Sequence, residues 1–186
     1  IREVLTEQPD LANAADPLET VPNGQIDFEG VSFKYNAAAQ KSALSDITLH
    51  IPAGATVGII GGTGSAKTTL VQLIPRLYDA TEGTVEIGGR DVRDYDLTAL
   101  RDAVGIVLQK NLLFSGTIRD NLKWGNPDAA EEQLWAACRA AHADEFLDRM
   151  PDGLDTDLGQ GGVNVSGGQK QRLCIARALL KKPRIL

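Results

Sequence analysis

Lys67 and Thr68 sit behind a run of small residues, Gly61-Gly62-Thr63-Gly64-Ser65-Ala66-Lys67-Thr68-Thr69, which follows the apolar stretch Thr56-Val57-Gly58-Ile59-Ile60, read as a strand. A polyphosphate tail crowds several negative charges together. A tightly curled loop with little side-chain bulk can hold it by turning backbone N–H groups inward. The unpaired N–H groups of a following helix start, and its dipole, add further donors. Gly61, Gly62 and Gly64 supply the permissive backbone, and the residues from Thr68 to Ile74 read as the helix, ended or kinked by Pro75. Lys67 would reach the β/γ-phosphates as a point charge, and the Thr68 hydroxyl is placed to ligate Mg²⁺. Ala66 stands where the usual pattern has Gly. A methyl group is acceptable there if φ stays negative, and a negative φ is the expectation for a residue just ahead of a helix.

About a hundred residues on, Val165-Ser166-Gly167-Gly168-Gln169 precedes Lys170-Gln171-Arg172-Leu173-Cys174-Ile175-Ala176-Arg177-Ala178-Leu179-Leu180. The second stretch has good helix formers and an apolar stripe through Leu173, Ala176 and Leu180, and Pro183 stops it. Ser166 with two glycines makes another helix start with exposed N–H groups, hence a second anion site. The same residues also fit a plain capped helix with a flexible lead-in.

Taken together, the two stretches resemble the ATP-binding-cassette (ABC) family, whose signature motif Val165–Gln169 is similar to, with Val165 where Leu is commoner. The resemblance covers nearly the whole chain after about residue 25, and other pieces fall in the family's order. Val31-Ser32-Phe33-Lys34-Tyr35 resembles the aromatic loop, which implies that Tyr35 stacks on adenine; from periodicity alone Tyr35 equally ends a half-buried strand broken at Gly30. Val107-Leu108-Gln109 resembles the strand end carrying the Q-loop glutamine, which implies that Gln109 contacts Mg²⁺ and the attacking water and senses the membrane partner. The segment from Asn111 to Leu122 is similar to its counterpart in exporter-type cassettes. The segment from Thr156 to Gly162 aligns with the exporter loop before the signature, although Gln160 and Gly161 replace its usual charged pair.

The family implies a fold and a function. The expected fold is α/β: a P-loop NTPase (RecA-like) core with an antiparallel β subdomain and an inserted α-helical subdomain, incomplete at the C-terminus. Residues 1–24, polar and punctuated by Pro9, Pro17 and Pro22, resemble the link from an exporter's last membrane helix, and residues 25–186 would be the partial cassette, with its helical subdomain at about 110–180. Arg184-Ile185-Leu186 resembles the start of the strand that carries the family's metal-binding Asp and catalytic Glu, so the residues given should bind nucleotide weakly and hydrolyse it negligibly by themselves. In a full-length parent, ATP and Mg²⁺ would be the cofactors and a second cassette and a transmembrane domain the partners. The location would be the cytoplasmic face of the cell membrane, and the activity ATP hydrolysis driving export. A degenerate ATP-binding half of a heterodimer and a soluble non-transport ABC ATPase are the alternatives.

The elements that must position these residues are partly legible. Asp46–Ile51 reads as a strand, residues 84–90 as a hairpin with a Gly-Gly turn, Asp96 as the cap of a short helix, and Val104–Leu108 as a buried strand. Asp128 with Glu131 reads as a capping-box start ahead of an apolar stripe through Leu134, Ala137, Cys138 and Ala141. The 186 residues, 42% hydrophobic, suffice for one substantial core or a core with a lobe. A net charge of −6 argues against a broad nucleic-acid surface. Cys138 and Cys174 read as reduced packing residues, Trp124 and Trp135 as packing residues, and His50 and His142 as isolated from any metal or triad pattern. No signal peptide and no bilayer-spanning apolar run is present in these residues.

Overall fold

The structure, a computed structural model, describes residues 9–36 and 38–186. The part of the expected linker at residues 1–8 lies outside the described residues. The chain divides into two compact units, the first ending at Val104 and the second spanning Gly105–Leu186.

In the first unit, β1 (Ile26–Phe33), β2 (Leu44–Ile51), β3 (Glu82–Ile87) and β4 (Arg90–Asp91) form an antiparallel sheet in the order β2-β1-β3-β4. Buried positions on β1 are Ile26 and Phe28, then Val31 and Phe33. That change from even to odd is a bulge: pairing with β2 slips between Phe28 and Val31, and Gly30 at the slip has φ 57°. One inserted residue would otherwise turn the rest of the strand inside out, and the bulge keeps a single apolar face. Gly88 and Gly89 make the β3–β4 turn. Tyr95, fully buried, donates its hydroxyl to the Ile87 carbonyl oxygen at 2.8 Å.

Among the described residues, two α-helices complete this unit. In α1 (Lys67–Leu73) Leu73 is buried, and in α2 (Leu97–Ala103) Leu100 is. The Asp96 carboxylate accepts from the N–H groups of Thr98 and Ala99, as its cap role requires. Residues of the expected linker are also fastened here. Leu18 pairs with Tyr95, and the Asn13 side chain bonds Asp96 Oδ2 at 2.6 Å and the Leu97 N–H at 2.9 Å.

The second unit is helical: α3 (Ile118–Lys123), α4 (Glu131–Ala140), α5 (Asp144–Leu147) and α6 (Gly167–Leu180). One core joins Ile118, Leu122, Leu134, Cys138, Leu147 and Leu173, so the stripes of α3, α4 and α6 meet as their spacing demands.

Two expectations need correction. The apolar runs Thr56–Ile60 and Val104–Leu108 are not in strands; Ile60 is fully exposed, and Ile106 and Leu108 face solvent. Apolarity makes a segment fit for a parallel sheet but does not provide the neighbours whose N–H and C=O groups complete the ladder. Helix α4 starts at Glu131, not Asp128: Gln133 Oε1 accepts from the Ala130 N–H at 2.9 Å, so the glutamine supplies the half of a capping box that Ala130 cannot reciprocate. Trp124 packs as expected, but on the surface. It is 66% exposed and stacks on Phe114, with ring centroids 4.4 Å apart. An indole with its partner ring on the surface gains contact area without entering the helical core. Trp135 does pack against that core.

Candidate nucleotide site

The phosphate loop folds on itself. Ser65 Oγ donates to the Gly62 carbonyl oxygen at 2.9 Å, and the Lys67 ammonium donates to the carbonyl oxygens of Gly61 at 2.7 Å and Gly62 at 2.8 Å. A Cβ at Gly61 would stand 2.5 Å from Ser65 Oγ, so this closure needs glycine there. Gly62 and Gly64 have open space where a side chain would point, leaving the loop's outer surface bare for a ligand. The lysine thus lies over the loop mouth as the one cation of the Gly61–Thr69 stretch.

Ala66 departs from expectation. Its φ is 57° and ψ 21°, the left-handed conformation, and not the negative φ anticipated. The reason is geometric: as cap of α1 it must reverse the chain between the Gly62–Ser65 turn and the first helical residue, and its own carbonyl already accepts from Leu70 N–H at 3.0 Å. A left-handed residue with a Cβ is strained by roughly 1–2 kcal/mol.

A cavity of about 420 Å³ opens here, lined by Tyr35, Ser42 and Ala43 together with Gly64–Thr69. This is the size class of small-molecule sites. Thr68 is exposed and Thr69 buried. The Thr69 Oγ1 and Tyr35 Oη share a hydrogen bond of 2.8 Å. The cavity therefore joins bare loop backbone, an ammonium, a free-facing hydroxyl and an aromatic ring, a donor set that suits a nucleoside triphosphate. Among the described residues no group of three or more His, Cys, Asp or Glu side chains could hold a metal ion. The exposed Thr68 hydroxyl, together with phosphate oxygens of a bound nucleotide, would suit a magnesium ion.

Ser42 and Ala43 were not anticipated as lining residues. The only signal was their place just before β2, where the Ala43 N–H bonds the Phe33 carbonyl oxygen at 2.8 Å and brings the strand connection back beside Tyr35.

The remaining predicted residues belong to the second unit. Gln109 is exposed, on a bend and not at the end of a strand. Ser166 caps α6: its Oγ accepts from Gln169 N–H, and Gln169 Oε1 accepts from Ser166 N–H. Val165 is buried in the helical core, whereas Gly167 and Gly168 are exposed with open space around them. The signature stretch is thus anchored by one apolar residue and presents bare backbone after it. In α6 burial raises the Cys174 thiol, and in α4 it pushes that of Cys138 up to about 12, in keeping with two free, unreactive cysteines.

Asn121, which sequence reasoning passed over, holds the post-glutamine segment. It is buried, its Oδ1 accepts from the Phe114 N–H at 2.8 Å, and its Nδ2 donates to the carbonyl oxygens of Phe114 at 2.9 Å and Thr117 at 3.0 Å. Beside it, Thr117 and Asp120 form a reciprocal cap of α3. Thr117 pairs with Asp157, and the Leu158 N–H bonds the Gly116 carbonyl oxygen at 3.0 Å, which ties the loop before the signature to the same segment.

The chain is similar to known proteins over its whole length. Residues 44–186 match the family model described as ABC transporter. The chain is 44% identical, over all 186 residues, to a multidrug efflux ATP-binding/permease protein of Mycobacterium bovis, of which it covers 15%. It is 44% identical over 185 residues to the uncharacterized ABC transporter ATP-binding protein YwjA of Bacillus subtilis, of which it covers 32%. A bacterial Atm1-family ABC exporter solved with ATP bound superposes with a TM-score of 0.91 at 35% identity, over 97% of this chain and 32% of that one. The chain therefore spans a third or less of the length of these relatives. On these matches the chain belongs to the ABC transporter family and carries the family's nucleotide-binding domain.

Proposed function

We propose that the chain is the ATP-binding cassette of an exporter, in which ATP binding and hydrolysis drive the movement of a substrate across a membrane. The observation that carries this reading is the cavity joining Tyr35 to the Lys67–Thr68 end of the phosphate loop. The adenine ring stacks on Tyr35, and the triphosphate lies along the Gly61–Thr69 backbone. Lys67 exchanges the carbonyl oxygens of Gly61 and Gly62 for β- and γ-phosphate oxygens, which bind an ammonium more strongly because they are charged. The Thr68 hydroxyl would hold a magnesium ion, which would neutralise phosphate charge. Gln109 orients the attacking water.

A second cassette faces this one head to tail, so that Val165–Gln169 of each closes over the nucleotide held by the other. Two helix starts around one triphosphate hold it better than one does. No helix among the described residues is long and apolar enough to cross a membrane, so the permeation pathway belongs to a transmembrane domain, fused as the names of the ATP-binding/permease relatives describe, with the cassette at the cytoplasmic face. The transported substrate is set in that domain. The test is Lys67→Ala in the complete protein, assayed for ATP-dependent transport into inverted vesicles. Transport should be abolished; transport at the unaltered rate overturns the assignment of this site.

A further inference from the structure

We infer that Thr69 is a positioning residue for nucleobase recognition, holding the Tyr35 ring in register with the phosphate loop. This rests on the reading of the cavity as a nucleotide site with the base on Tyr35, and it assigns to Thr69 a task apart from gripping phosphate.

Thr69 is only 5% exposed, and a buried hydroxyl without a partner is costly. Its partner is not a backbone group of its own helix but the phenol of Tyr35, 34 residues earlier, at 2.8 Å. A residue of the phosphate-loop sequence therefore directs its side chain to the aromatic arm, while its neighbour Thr68 faces solvent.

The rest of the arm is also held. Phe33 meets the Tyr35 ring edge-on, with centroids 4.8 Å apart and planes at 82°, and Tyr78 does so at 5.4 Å and 87°. The backbone of the preceding residue is pinned by the bond from Lys34 N–H to Thr81 Oγ1 at 3.0 Å. Two perpendicular rings restrict rotation about the ring axis, and the bond to Thr69 fixes the far end. Tyr35 is nonetheless 59% exposed and lines the cavity, so the clamp orients the ring without covering it.

An exposed aromatic side chain that must be immobilised on binding costs affinity, and one already held does not. Because Thr69 follows Lys67 and Thr68 on α1, the same helix that sets the phosphate contacts sets the ring. Losing the hydroxyl should then weaken ligands that have a base and spare those that have none.

The test measures dissociation constants by calorimetry on the complete protein, with magnesium–ATP and with magnesium–tripolyphosphate, which lacks base and sugar. Thr69→Val and Tyr35→Phe should each weaken ATP about fivefold, the scale of one hydrogen bond, with tripolyphosphate unchanged. Thr69→Ser should restore ATP binding to within about twofold. The Thr69→Val/Tyr35→Phe double variant should be no weaker than either single one. Tyr35→Ala separates the two levels: it should weaken ATP roughly tenfold or more by loss of stacking. If Tyr35→Ala is harmful and Thr69→Val is not, the positioning role alone falls. If Thr69→Val weakens ATP and tripolyphosphate alike, Thr69 serves the phosphate loop and the inference is wrong. If Tyr35→Ala leaves ATP binding unchanged, the base reading fails and takes this inference with it.

Discussion

Ser166 and Gln169 close a reciprocal pair at the start of α6: the Ser166 N–H donates to Gln169 Oε1 at 2.8 Å, and the Gln169 N–H donates to Ser166 Oγ at 3.3 Å. The two exposed glycines between them leave the helix start without side-chain cover. A large side chain at position 166 meets little in this chain, since Ser166 is itself exposed, but it stands where the proposed partner's nucleotide must approach. Ser166→Phe should therefore lower ATP hydrolysis by the complete protein at least about tenfold while nucleotide affinity stays within about threefold. The lost cap should cost about 1 kcal/mol of stability. Steady-state hydrolysis beside equilibrium binding checks this, and an equal loss in both would contradict the head-to-tail arrangement.

Ala66 supplies a second prediction, because its left-handed backbone was not legible in the sequence. Ala66→Gly removes the contact between Cβ and backbone that disfavours φ near 57°. The gain is reduced by the greater freedom of glycine in the unfolded chain. The net expectation is a stabilisation of up to about 1 kcal/mol in urea unfolding, with ATP affinity changed less than about tenfold because loop strain is present with and without ligand. Ala66→Val, with a branched side chain in the same conformation, should destabilise. A rise in stability for valine would show that the loop does not hold this conformation.

What could be read from residues alone was what short-range chemistry dictates. Asp96 and Ser166 cap helices because their side-chain oxygens reach free N–H groups within three residues, and the Gly88–Gly89 turn and the bulge at Gly30 are likewise local. The tight turn of the Gly61–Ser65 stretch was legible for the same reason. The bond between Tyr35 and Thr69 was not, since no periodicity links residues 34 apart. Nor was the exposure of Ile60 and Leu108, because an apolar strand is completed by neighbours that its own sequence does not encode. Trp124 was legible as a packing residue, but aromatic character does not tell whether the contact lies in a core or with one surface ring.

Asn121 is the test of how the post-glutamine segment is held. One buried amide satisfies both the N–H and C=O of Phe114. Asn121→Ala leaves those groups without their partner and opens a small gap, so a loss of about 2–4 kcal/mol is expected in urea unfolding of the second unit. Asn121→Asp keeps the acceptor for the Phe114 N–H but offers the two carbonyl oxygens no donor when ionised, so it should also destabilise, and less so at low pH. A loss below about 0.5 kcal/mol for alanine would mean that solvent reaches the Phe114 backbone freely.

The pH dependence of folding follows from Asp155 and its neighbours. The Arg119 guanidinium, bonded to Asp155 at 2.7 and 3.0 Å, holds that carboxyl below the usual carboxylate value. The Thr117 backbone N–H does the same for Asp120, and the Ala99 N–H for Asp96. In each case the folded state releases its proton more readily than the unfolded chain. The stability this adds is present above the ordinary carboxylate pKa of about 4 and is lost as pH falls through the lower folded value. The thermal midpoint should drop between about pH 5 and pH 3 as the unfolded chain takes up protons first. Asp155→Asn, which leaves Arg119 only its exposed contact with Glu131 at 3.3 Å, should make that drop shallower and lower the midpoint at neutral pH slightly, since the pair is largely solvated. Parallel curves for the two proteins between pH 3 and 6 would remove Asp155 as a source of the acid sensitivity.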